Sequence, residues 1–83
     1  MKLTNAIKKL SKYGEVKQDG NLFWAEIKSY VVQFRANGPI EEGTTARGFR
    51  VKSKNDEDDI MTDYFAGVWC DNLTQAIKVA TAA

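Results

Sequence analysis

Three groups of residues in this sequence have the types and spacing that chemistry uses. They are a lone thiol, Cys70; a run of carboxylates, Asp56, Glu57, Asp58 and Asp59; and an aromatic with cations, Trp24 with Arg35, Arg50 and Lys52. A thiol attacks only as the thiolate, which needs an adjacent base or cation. None is evident beside Cys70, which reads instead as a small buried hydrophobe between an aromatic-rich run and a helix. The carboxylates superficially offer calcium ligands, yet an EF-hand loop needs acids at alternate positions, a glycine at the sixth and a bidentate Glu at the twelfth. Asn55 to Ile60 keeps none of that order, so no metal site is expected. Because several like charges cannot be buried together unpaired, the run reads as exposed surface able to meet a basic protein partner. Trp24, Arg35, Arg50 and Lys52 form the candidate nucleic-acid-binding set, since cations beside an exposed aromatic can hold phosphates and stack bases.

Much other chemistry is excluded. The chain has no histidine, which removes the usual general base, the commonest zinc ligand and every His-dependent triad. Neither GxGxxG nor GxxxxGK[ST] occurs, so no phosphate-cradling loop and no cofactor is expected. An enzyme working with carboxylates alone is a third class, since Asp and Glu serve as acid and base when their environment tunes them.

Charge is unevenly laid out beneath a net of +1. Residues 1–54 hold eleven Lys and Arg against five Asp and Glu, a balance of +6, whereas residues 55–83 hold Lys78 against six Asp and Glu, a balance of −5. Each half can steer an oppositely charged partner. The lysines of the amino-terminal segment read as serving solubility.

The elements that must position these residues follow from periodicity. Leu3, Ala6, Ile7 and Leu10 recur at helical spacing, and Gly14 is placed to end that helix in a left-handed cap. Asp19-Gly20 between Glu15 to Gln18 and Asn21 to Ile27 predicts a hairpin. Tyr30 to Ala36 alternates, with Tyr30, Val32, Phe34 and Ala36 on one face and Val31, Gln33 and Arg35 on the other. Asn37-Gly38-Pro39 opens a loop that runs to Thr45. From Ala46 to Ser53, Phe49 and Val51 oppose Gly48, Arg50 and Lys52, and Ile60 to Trp69 reads as a last strand bent at Gly67. Asn72 with Gln75 makes a capping box before the stripe Leu73, Ala76, Ile77 and Ala80.

This order predicts one small α+β domain over residues 1–83. It is an antiparallel four- to five-stranded meander, flanked by an N-terminal and a C-terminal helix packed on one face, with the other face wet. Leu3, Ile7, Leu10, Val32, Phe34, Phe49, Val51, Leu73, Ile77 and Ala80 form the predicted core. The topology resembles that of double-stranded RNA-binding domains, whose last helix opens on a KKxAK-type cluster; here that position reads Asp71-Asn72-Leu73-Thr74-Gln75. Asp63-Tyr64-Phe65-Ala66-Gly67 leading to Asp71-Asn72-Leu73 resembles the ending of small α+β domains found alone or inside polyvalent proteins of phages and conjugative elements. That resemblance implies a phage or mobile-element accessory protein acting on a host factor.

One cysteine demands no oxidising compartment, and Met1 to Lys12 holds no apolar run long enough for a signal peptide or span. The expected setting is the cytoplasm, without a membrane partner. Function is expected to be a non-enzymatic protein-interaction module, with Asp56, Glu57, Asp58 and Asp59 as contact; the alternative is a nucleic-acid-binding module using the basic open face of the sheet.

Overall fold

The structure, a computed structural model, describes residues 1–53 and 67–82. The chain runs through helix α1 (Leu3–Ser11), strands β1 (Lys17–Asp19), β2 (Leu22–Ile27), β3 (Tyr30–Asn37), β4 (Thr45–Ser53) and β5 (Val68–Cys70), and helix α2 (Leu73–Thr81). The strands form one antiparallel sheet in the order β1-β2-β3-β4-β5, so the α+β meander expected from periodicity is the fold.

Both helices pack on one face of this sheet. Leu3, Ala6 and Leu10 of α1 and Leu73, Ala76, Ile77 and Ala80 of α2 bury against Phe23, Ala25, Val32, Phe34, Phe49 and Val51, with Ile7 half-buried beside them. Phe34 sits at the centre, stacked on Phe23 at 5.6 Å between ring centroids and tilted against Phe49 at 5.8 Å. Nine of the ten residues of the predicted core lie in this cluster, and Ile7, half-buried, packs against it. The start of α2 is secured as its sequence suggests. The Gln75 amide, one of the donors that a helix start leaves open, donates to Asn72 Oδ1 at 2.8 Å, and the Gln75 side chain accepts from the Asp71 amide just before the cap at 3.2 Å.

Three local features differ from the sequence-based expectation. The first turn of the meander is displaced by one residue, because Asp19 pairs with Leu22 and leaves Gly20 and Asn21 as the turn, Gly20 at φ +60. Placing the positive φ on a glycine avoids the cost that an Asp19-Gly20 turn would impose on Asp19. Helix α1 ends on Lys12 in a right-handed cap, not on a left-handed Gly14.

The third feature decides which way β4 faces. Gln33 pairs with Arg50, but Arg35 pairs with Arg47, so β4 carries one extra residue opposite Phe34. Gly48 takes φ +75 there, the glycine-bearing geometry of a β-bulge. Strict alternation would put Ala46 on the same side as Arg50. The bulge resets the phase, so that Ala46, Phe49 and Val51 are all buried in the core.

The first residues of the chain also belong to the sheet. The Leu3 amide donates to Thr44 O and the Ala46 amide to Met1 O, both at 2.8 Å, with a bridge between Lys2 and Thr45. This pins α1 to the start of β4. Thr44, itself buried, closes the preceding loop, its hydroxyl donating to Pro39 O at 2.6 Å and accepting from the Glu41 amide at 2.9 Å. No helix among the described residues is long and apolar enough to cross a membrane.

Candidate functional site

The sheet face turned away from the helices carries the candidate nucleic-acid-binding residues, and its register groups them in rows. One row runs across all five strands through Lys17, Trp24, Gln33, Arg50 and Trp69. A neighbouring row holds Glu26, Val31 and Lys52, and another holds Leu22, Arg35 and Arg47. Trp24, Arg35, Arg50 and Lys52 therefore share a face, as the alternation of β3 and β4 implies.

They do not share exposure, and here the expected wet face is corrected. Arg50 is 0% exposed and Lys52 2%, and Gln33, Val31 and Leu22 of the same face are buried too. Arg35 is exposed and Trp24 half-buried. Alternation tells which residues share a side but not what lies over that side. Part of the cover over Arg50 is an aromatic ring, for its guanidinium lies 4.2 Å from the centroid of Trp69. The same guanidinium donates to Gly67 O at 3.3 Å. The delocalised, weakly hydrated guanidinium tolerates such stacking better than an ammonium would.

Trp69 is the residue that sequence reasoning missed. It reads as the end of an aromatic strand, and only the pairing of Arg50 with Trp69 reveals which side it takes. The ring is 49% exposed and Val68 beside it 55%, on a strand that forms one edge of the sheet among the described residues. Gly67, which introduces this strand, has φ +91, and a Cβ there would stand 2.4 Å from Val51 O. Only glycine fits so close an approach in that conformation. Glycine and guanidinium together hold the exposed strand against β4.

Cys70 faces the core and is 8% exposed. Burial pushes its thiol above the ordinary range, and the neighbouring Asp71 carboxylate adds to the effect. Such a thiol stays protonated near neutrality and is a poor nucleophile. Asp56, Glu57, Asp58 and Asp59, the candidate protein contact, lie outside the described residues, as does the 60–66 stretch of the expected last strand.

No family model, no curated protein and no solved structure matches this chain.

Proposed function

We propose that this chain is a non-enzymatic protein-interaction module that presents β5 to its partner. The observation that carries this reading is the pre-ordered, half-exposed Trp69. Tryptophan is among the residues that dominate the energetics of protein interfaces, and an exposed ring on an edge strand is a ready contact for a partner. Val68, opposite Val51, is exposed on the other side of the same strand. Immobilising a free side chain on binding costs about 0.5 to 1.5 kcal/mol. Stacking on Arg50 meets much of that cost before the partner arrives.

The acidic run Asp56 to Asp59 supports a basic partner on charge alone. The finer reading, an accessory protein of a phage or other mobile element acting on a host factor, rests on the resemblance of the 63–73 stretch. Nucleic-acid binding by the sheet face is less well supported, because phosphate neutralisation needs cations that reach solvent and Arg50 and Lys52 are buried.

The test is a quantitative pull-down from the lysate of the source cells with the parent protein, Trp69→Ala and Lys8→Ala. A protein retained by the parent should drop about tenfold or more with Trp69→Ala and stay level with Lys8→Ala. Equal retention by parent and Trp69→Ala sinks the reading.

A further inference from the structure

The helical side of the molecule carries a charge pattern unlike the sheet side. Neither α1 nor α2 contains an Asp or a Glu, whereas Lys8 and Lys9 lie in the last turn of α1, Lys12 caps it, and Lys78 lies in the last turn of α2. Lys28, from the turn between β2 and β3, joins them, its Nζ 3.4 Å from Thr81 O at the end of α2. The carboxylates nearest in sequence, Asp71 and Glu15, stand outside both helices. A helix C-terminus carries the equivalent of about half a negative charge. Among the described residues, two such termini leave most of the charge on these five lysines unbalanced.

Between the helices runs a groove of about 280 Å³ lined by Lys9, Tyr13, Thr74, Ile77, Lys78 and Thr81. Lys9 reaches across it and donates to the Thr74 hydroxyl. Buried Ile77 belongs to the core beneath, and the Tyr13 side chain is 49% exposed. Compact ammonium charges hold phosphate oxygens, and an exposed phenol ring is a platform for a base. The Thr74 hydroxyl, which accepts from Lys9, still has a proton to donate, while that of Thr81 is given to Ile77 O at 2.8 Å. Lys8 and Lys12 are one helical turn apart, about 6 Å at the rise of an α-helix, and extend the cationic track along α1.

We propose that the groove between α1 and α2 binds single-stranded nucleic acid, with Lys9, Lys12 and Lys78 on successive phosphates and a base stacked on Tyr13. At about 280 Å³ the groove falls just below the range of ligand-sized clefts, so it receives one base-sized group while the rest of the strand lies along the lysines. This activity is independent of the protein contact at Trp69, which lies on the other face of the sheet.

The test uses fluorescence anisotropy of labelled oligothymidylate, about 12 nucleotides long, at several salt concentrations. Binding is expected at low salt, with log affinity falling against log salt at a slope of about −2, the value for three phosphates on a single strand. Each of Lys9→Gln, Lys12→Gln and Lys78→Gln should reduce the slope by about 0.7, and the triple variant should flatten it. Tyr13→Ala should weaken binding roughly 5- to 100-fold while leaving the slope unchanged. Thermal melts check that each variant folds, and the single substitutions decide the matter if the triple one does not. Three results would overturn the proposal: no binding at low salt, displacement by polyglutamate as effective as by unlabelled oligothymidylate, or loss of the slope with Arg35→Gln on the sheet face instead of with the lysine variants.

Discussion

At the scale of single residues, burial decides what the reactive groups of this chain do. Cys70 has the chemistry of a nucleophile, yet the core that receives it disfavours its thiolate, and Asp71 adds like-charge repulsion. The consequence for stability has a definite sign. A thiol whose folded pKa is raised keeps its proton after the unfolded chain has begun to lose it, above about pH 8.5. The folded state then binds more protons than the unfolded state, so this contribution is intact below that range and is lost as pH rises through it. Urea midpoints of the parent and of Cys70→Ala should differ by a constant amount near neutrality, and the difference should shrink above about pH 9. Parallel curves to alkaline pH would mean that the thiol is solvated. Arg50 illustrates the opposite outcome. Its charge is permanent, so burial cannot neutralise it, and the Trp69 ring and the Gly67 carbonyl contribute to its accommodation.

At the scale of elements, the bulge in β4 sets the phase on which the two faces depend. Gly48 holds φ +75, a conformation that costs a residue with a Cβ about 1 to 2 kcal/mol. Gly48→Val should therefore lower stability by at least that amount in urea unfolding, and Gly48→Asn by less, because asparagine tolerates the left-handed region. Equal losses for the two would show that side-chain bulk, not the backbone, limits the site. This bulge also marks how far periodicity reaches. The stripes of α1 and α2, the alternation of β3 and the second half of β4 were all legible, because each depends on a local repeat of 3.6 or 2. Residue identity alone did not place the bulge, although a glycine inside a strand is its signal. The site was legible only in part. Trp24, Arg35, Arg50 and Lys52 do fall on one face, but the burial of Arg50 and Lys52, and the role of Trp69, depend on register between strands far apart in sequence.

At the scale of the whole molecule, one core on one side of one sheet carries the fold. A domain of this length has on the order of 4 to 12 kcal/mol of stability in total. Phe34 is fully buried between Phe23, Phe49 and the helices, and truncating such a ring to alanine costs about 3 to 5 kcal/mol. Phe34→Ala should thus leave a large unfolded fraction at room temperature, seen as a lost or strongly lowered thermal transition. Phe34→Leu should keep a cooperative one. A melt of Phe34→Ala within a few degrees of the parent would contradict the central position of this ring. The bonds of the first residues to β4 have a consequence for the molecule in company with its own copies. A nine-residue strand with a bare edge is a template on which another chain can pair and begin to aggregate. Here β4 is covered in two lengths, by β5 along Phe49 to Val51 and by Met1 to Leu3 along Thr44 to Ala46. Among the described residues, the two end strands of the sheet, β1 and β5, are each only three residues long, and β1 covers β2 only along Leu22 to Trp24. End strands this short offer another copy little length to pair with, so the cover that Met1 to Leu3 give β4 removes the longest template the sheet would otherwise show to its own copies.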